Sequence, residues 1–522
     1  MKGILKNTAI VGAMTALSRV LGLVREMMQS RLIGAGVEQS AFTLAFAIPN
    51  MMRKLFGEGS LTAAFVPVFK GEVEAQRMES ARRLARAVMT MSLMMLAAVS
   101  ALAVAGLSAA LHCGADFSER TVLTLRLTRL LLPYMVFICG AAFGMGILNA
   151  LDKFAAASLM PCLLNVVWIG ALGALCFFPG MPLGSRIVWV SGAILFAGFL
   201  QMAFMFHCMK RRGVSPRLSR VGWGDPNTRL VWRNMLVSAV GAGAVQINYM
   251  LDQVLAQAAS PWAAGVIGYA ERLMDLPLGI VGVAFGTVLL PTFAGYFAKD
   301  DIAGARAAFL SSTDNLLFVM IPAAVGLGIL APDMTRVIYE GKAFDATATM
   351  RVGRAVACYA LGLGFFGLQK TLVPWFHAQK DIKTPLGVSV KMVFLNVTLN
   401  ILAVWLLPVE WRHVGLAAST VFCAGVSCVC LAVLARRKNG ALGFASLARP
   451  VGRTLAASAV MGAALWLARS WLATRGWTGT WANVTRLAAL VALGSLVYFG
   501  AQFLFARRSL AARLASRRRT AT

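Results

Sequence analysis

Negative charge is what this sequence has least of. Its 522 residues carry 21 Asp+Glu against 50 Lys+Arg, a formal net charge of +29, and charged residues of both signs together make up only 14%. A soluble domain carries about 25%. With 59% hydrophobic residues and a mean hydropathy of +0.72, this is a membrane protein. Histidine is scarce too: His112, His207, His377 and His413 lie far apart and suggest no metal site. The nine cysteines stand mostly alone inside apolar stretches, as at Cys139, Cys162, Cys176 and Cys423, with no CxxC pair. Cys428 and Cys430 are two apart and point different ways on a helix, so small packing residues are the expected role. Walker A, HExxH, GxSxG and DDxxD patterns are all missing, and the chain is not expected to be an enzyme. A folded basic domain is missing as well. The longest basic runs, Lys210 to Arg220, Arg436 to Lys438 and Arg507 to Arg519, lie between or after apolar spans, so no nucleic-acid partner is expected.

What the sequence has in abundance is apolar runs. A spanning helix needs about 20 mostly apolar residues. Counting such runs predicts an all-α polytopic membrane protein of about 14 transmembrane helices. They fall near 4 to 26, 32 to 60, 86 to 111, 126 to 150, 155 to 178, 186 to 208, 230 to 257, 263 to 297, 308 to 331, 350 to 374, 385 to 407, 413 to 435, 452 to 472 and 484 to 506. The first run is expected to be retained rather than cleaved, since Arg19 and Arg25 interrupt it and no small-x-small pattern follows. Even-numbered connections are basic, at 70 to 86, 209 to 229 and 436 to 453, as is the tail after 506. Odd ones are not: Ala258 to Trp262 has no Lys or Arg, His112 to Arg120 has only Arg120, and Pro408 to His413 has only Arg412. Positive charge stays inside, so both termini are expected in the cytoplasm.

Two echoes suggest an internal repeat. AFVPVFKGE (Ala64 to Glu72) resembles VLLPTFAGY (Val288 to Tyr296), aligning Pro67 with Pro291, and NALDKF (Asn149 to Phe154) resembles HAQKDI (His377 to Ile382). Both echoes are offset by six spans; chance likeness between apolar helices is the competing explanation. The expected organisation is a six-helix lobe at 1–208, a basic cytoplasmic linker at 209–229, a second lobe at 230–435, and two further helices with a basic cytoplasmic tail at 436–522.

Against this background a few charges stand out, because an arginine in a bilayer costs roughly 3 kcal/mol on insertion scales. Arg19 and Arg25 lie six residues apart around Gly22, where a bend would bring both toward one cavity; snorkelling to an interface is the alternative. Arg53 follows Pro49, and Lys54 with Glu58 forms an i,i+4 pair that leaves Arg53 for a ligand. In YAERLMDLP, Arg272 can meet Asp275 at i+3, and Glu271 shares a face with Asp275. Arginine suits a diphosphate through its bidentate fork. Asp252, a single acid in the seventh span, is a candidate for cation coupling or an arginine partner. Asp381 is a second candidate, with a solvated turn charge as the alternative. The tryptophans of WLATRGWTGTW (Trp471 to Trp481) read as an interfacial belt.

With SRVLGLVRE (Ser18 to Glu26), IPNMMRKLFGEGSLTAAFVPVF, YAERLMDLPLGIVGVAFGTVLLP and KDIKTP in order, the chain resembles the MurJ (MviN) lipid II flippases of the MOP transporter superfamily. The resemblance implies two six-helix lobes in a V around a central cationic cavity, with a hydrophobic groove involving the last two helices. It also implies alternating access that moves undecaprenyl-diphosphate-linked peptidoglycan precursor to the periplasmic leaflet of the bacterial inner membrane, driven by membrane potential or an ion gradient. The family's functional arginines fall on Arg19, Arg25, Arg53 and Arg272, with Glu58, Glu271 and Asp275 in support. No cofactor is implied beyond a coupling cation, Na⁺ or H⁺, at Asp252 and Asp381, although His377 and Val393 depart from a complete ion site. The family acid after the first helix is Ser40 here, and a family serine is Gly265. Implied partners are lipid II, membrane lipids and the peptidoglycan synthesis machinery, with a monomer able to function. Rival readings are another MOP-type exporter of a lipid-linked oligosaccharide or drug, for which an acidic cavity would be expected for cationic cargo. An intramembrane transferase would need an acidic metal cluster, and a scaffold would leave the buried charges unexplained.

Overall fold

The computed structural model describes residues 2–55, 61–113, 116–219, 221–286, 288–475 and 479–519, and these are almost entirely α-helical. Helices α1 (Lys2–Ile33), α2 (Val37–Met52), α3 (Leu61–Glu74), α4 (Met78–His112), α5 (Glu119–Leu131), α6 (Tyr134–Ala150), α7 (Phe154–Leu175), α8 (Leu183–Arg211) and α9 (Pro226–Ala259) come first. They are followed by α10 (Ala263–Gly286), α11 (Leu289–Phe297), α12 (Ile302–Tyr339), α13 (Ala346–Ala378), α14 (Lys383–Leu406), α15 (Val409–Asn439), α16 (Ala448–Ala473) and α17 (Thr480–Arg519). Among the described residues, ten segments are long and apolar enough to cross a membrane by length and composition.

Four of the expected spans, 4 to 26, 32 to 60, 230 to 257 and 263 to 297, are not among those ten. They fall on α1, on α2 and α3, on α9, and on α10 and α11. Helices α2, α3 and α11 are short, with 16, 14 and 9 residues. Every 18-residue window of α10 contains Glu271, Arg272 and Asp275, so its apolar character is interrupted throughout.

The chain divides into two compact units: residues 1–265 with 341–345, and 266–340 with 346–522. The main run of the first unit ends at Gly265. Helix α9 goes with the first unit because it packs on α2, α3 and α4. The first unit is centred on buried aromatic side chains, with Phe42, Tyr134 and Trp168 in one cluster and Phe65, Phe69 and Phe143 in another. In the second, Trp375 is packed edge-on by Phe293, Phe297 and Phe309. Its last two helices, α16 and α17, pack on α12 around Met461, Leu465 and Tyr498.

Turn geometry repeats between the halves. Among the described residues, the non-glycine residues with left-handed φ are Gln76, Asp152, Asp300 and Lys380, at φ between 54° and 59°. Gln76 and Asp300 are 224 residues apart, and Asp152 and Lys380 are 228 apart, which are the offsets of the two sequence echoes. Each residue closes a helix: the next N–H reaches back five positions, Arg77 to Glu72, Lys153 to Leu148, Asp301 to Tyr296 and Asp381 to Phe376, at 2.8–3.0 Å. This satisfies carbonyls that a helix end leaves open. Gly213 and Gly440, both at φ 76° and 227 residues apart, end α8 and α15. Arginines at equivalent places serve them. The Arg306 Nη2 donates to the Asn439 carbonyl at 3.0 Å, and Arg82, 224 residues earlier, lies against Gly213.

Candidate functional site

Helix α1 runs without a break through Gly22, so Arg19 and Arg25 are carried on one continuous helix. Arg19 is exposed, while the side chain of Arg25 is only 18% exposed. Three groups hold Arg25. Its Nη1 donates to Asn165 Oδ1 at 2.9 Å, its Nη2 donates to Glu26 Oε1 in a short ion pair, and the guanidinium lies 4.4 Å from the Trp168 ring centroid.

Two of these groups come from α7, where Asn165 and Trp168 are three apart and share a face. Asn165 also donates from Nδ2 to the Ser18 carbonyl at 3.0 Å. A Cβ on Gly22 would stand 3.8 Å from Asn165 Nδ2, an ordinary van der Waals distance, so the two helices pack closely here without requiring glycine. Trp168 is buried and donates from Nε1 to Gln29 Oε1 at 2.7 Å. Gln29 in turn donates to Gln39 Oε1 at 3.0 Å, linking α1 to α2. Buried polar groups need such partners, and a linked set fixes one geometry.

Arg53 sits where α2 tightens and then widens. Pro49 lies inside the helix, residues 53–55 form a π turn, and the Arg53 side chain donates from Nε and Nη2 to Asn50 Oδ1 at 3.2 and 3.0 Å. π turns of this kind occur often at functional sites. Lys54 faces the Tyr249 ring on α9 at 5.4 Å. Its expected partner Glu58 lies outside the described residues. Asp252, one turn from Tyr249, is half-buried and accepts from Asn248 Nδ2 at 3.1 Å.

In the second unit, Glu271 and Arg272 on α10 are half-buried and Asp275 is exposed. Tyr269 anchors this turn: it is buried against Tyr339, with ring centroids 4.8 Å apart. Asp381 occupies the turn between α13 and α14. Its Oδ1 accepts from the Thr384 N–H at 3.1 Å, and its Oδ2 accepts from Lys438 Nζ at 2.7 Å. The Lys438 hydrogen bond, then the Thr384 one, holds the Asp381 carboxyl below the usual range, at about 2. It is therefore an ionised, paired turn residue in this structure.

Ser40 and Gly265 touch each other. The Gly265 N–H donates to Ser40 Oγ at 2.9 Å, and a Cβ on residue 265 would stand 3.2 Å from that oxygen. A backbone donor takes the place that a side chain would otherwise crowd. Among the described residues no group of three or more His, Cys, Asp or Glu side chains could hold a metal ion. Glu26, Asn165, Trp168 and Gln29 were not singled out from sequence, although a polar Asn165 and a Trp168 on one face of an apolar run offered a signal.

The family described as "Lipid II flippase MurJ" matches residues 29–486. A probable lipid II flippase MurJ of Rhizobium tropici is 35% identical over 474 residues, covering 90% of this chain and 88% of that protein. The lipid II flippase MurJ of Burkholderia cenocepacia is 30% identical over 417 residues, 78% and 79% of the two chains. In fold, the chain matches a lipid II flippase MurJ in an inward closed conformation with a TM-score of 0.77 at 21% identity, covering 96% of this chain and all of the other. It also matches an inward-facing multidrug-resistance MATE transporter of the MOP superfamily, with a TM-score of 0.68 at 16% identity over 81% and 95%.

Proposed function

The chain belongs to the lipid II flippase MurJ family, and from that premise we propose that Arg19, Arg25, Arg53 and Arg272 each contact the substrate's diphosphate during transport. The function itself is lipid II flipping for cell-wall synthesis, by a multi-pass protein of the bacterial inner membrane. The observation that supports an arginine-based site is Arg25, a guanidinium held largely out of water by Asn165, Glu26 and Trp168 on a mostly apolar helix. Such a group is costly unless it serves a purpose, and a planar fork matches phosphate oxygens.

In this reading transport goes by alternating access, from the cytoplasmic to the periplasmic leaflet, with both termini cytoplasmic and a monomer as the working unit. The lipid tail stays in the bilayer or in a groove at α16 and α17. No covalent bond changes and no cofactor takes part, apart from a coupling cation, Na⁺ or H⁺, if Asp252 or Asp381 carries one. An anion moving outward gains about 2.3 kcal/mol per charge per 100 mV, so the membrane potential is a sufficient drive. Membrane lipids and the peptidoglycan synthesis machinery are the expected neighbours.

The test is replacement of a depleted native flippase by this protein, with surface-exposed lipid II and membrane levels both measured. Wild type is expected to restore both growth and exposed lipid II. Arg19→Ala, Arg53→Ala and Arg272→Ala, at normal membrane levels, are expected to lower exposed lipid II at least tenfold. Well-inserted wild type that fails to rescue would indicate a different lipid-linked substrate, and unaffected variants would make these arginines structural.

A further inference from the structure

Arg25 is not presented to solvent as a bare cation. Its Nη2 is engaged by Glu26, whose side chain is only 8% exposed, its Nη1 by Asn165, and its guanidinium lies over the Trp168 ring. These three partners differ in chemistry. Asn165 and Trp168 are neutral and fixed on α7 by bonds of their own, to the Ser18 carbonyl and to Gln29. They can keep their hold on the guanidinium while another anion arrives. Glu26 carries the same charge sign as a diphosphate and occupies one of the donor positions that a phosphate oxygen would use, so it competes with it.

Resting on the reading that Arg25 binds the diphosphate, we propose that Asn165 and Trp168 hold Arg25 in position while Glu26 is its exchangeable counter-ion. The diphosphate displaces Glu26 on binding, and Glu26 reclaims Arg25 on release. The pair then solves two problems of a carrier. Between substrates the guanidinium is never left without an anion in a low-dielectric setting, where an unpaired charge is costly. After translocation, the returning carboxylate weakens the grip on a polyanion that several arginines would otherwise retain. Apparent affinity falls in proportion to the fraction of molecules whose site is free to bind. A pair closed in nine of ten molecules therefore weakens binding about tenfold.

The experiment measures lipid II binding to purified protein and, in spheroplasts, the rate at which lipid II reaches the outer face. Glu26→Gln keeps the side-chain size and removes the charge. It is expected to bind lipid II about tenfold more tightly and to turn over several-fold more slowly. Asn165→Ala is expected to weaken binding several-fold, and to add no further loss in an Arg25→Lys background, where the anchored fork is already absent. Glu26→Gln that binds lipid II no more tightly than wild type, at an unchanged melting temperature, overturns the exchange. Should Glu26→Gln not accumulate in the membrane, the Asn165→Ala cycle decides: additive losses with Arg25→Lys overturn the proposal. Arg25→Ala in the same assay separates the two levels. Binding unchanged by Arg25→Ala removes the reading on which the proposal rests, whereas weakened binding there with Glu26→Gln unchanged removes the counter-ion exchange alone.

Discussion

Asp381 works at a corner of the second unit, where it caps the start of α14 through Thr384 and ties it to the end of α15 through Lys438. Its pKa is depressed in the folded protein, to about 2 from an ordinary 3.8, so its contribution is fully present above about pH 4 and is lost as the pH falls toward 2. Asp381→Asn is expected to lower stability by under about 1 kcal/mol, since Lys438 is 41% exposed and screened. In thermal melts that deficit should stay constant from about pH 5 to pH 8 and shrink below about pH 4. Unchanged Na⁺ dependence of transport in the same variant would separate this corner from cation coupling. At this scale the arginines were legible, because a charge in an apolar run is conspicuous by itself. Trp168 was not, since an aromatic residue in an apolar helix is ordinary until its ring is found beneath Arg25.

Helices α16 and α17 show how an element is fastened as well as packed. Asp333 on α12, with its side chain 9% exposed, accepts from Arg469 Nε at 2.5 Å and pairs with Arg486 Nη2 at 3.6 Å. One acid from α12 thus joins both terminal helices to their unit. Asp333→Ala would leave two arginines without that counter-ion and is expected to cost about 3 kcal/mol, read as a lower melting temperature in detergent. Replacing all three by similar-sized apolar residues should recover most of the loss. The link from α1 to α2 is as specific. Gly34 has φ 86°, donates to the Ser30 carbonyl at 2.8 Å, and a Cβ there would stand 2.1 Å from the Ala343 carbonyl oxygen. Gly34→Ala is therefore expected to cost at least about 2 kcal/mol, from backbone conformation and collision together. Neither fastening could be read from sequence, because each joins residues that are far apart in the chain.

For the molecule as a transporter, the drive is read from how exposed lipid II responds to potential and to Na⁺. If the potential acts on the anionic head group, valinomycin with external potassium should lower surface-exposed lipid II several-fold, and replacing Na⁺ at constant potential should leave it unchanged. A Na⁺ requirement that Asp252→Asn abolishes would instead make Asp252 the coupling residue. Duplication also belongs to this scale. Two short sequence echoes in apolar helices are weak on their own. The left-handed closures at Gln76 and Asp300, at Asp152 and Lys380, and at Gly213 and Gly440 give them a physical basis, because only some residues tolerate those dihedrals.

By itself the sequence determined that this is an all-helical membrane protein, because lipid demands internal backbone hydrogen bonding and apolar runs of about 20 residues have the length of a spanning helix. It also marked the arginines, because charge in such runs is costly. Only the tertiary structure decided which groups hold Arg25, how α9 is shared out, and where Ser40 meets Gly265. Those are contacts across 140 and 225 residues of chain for Arg25–Asn165 and Ser40–Gly265, and helical periodicity carries no information about the neighbour on the next helix.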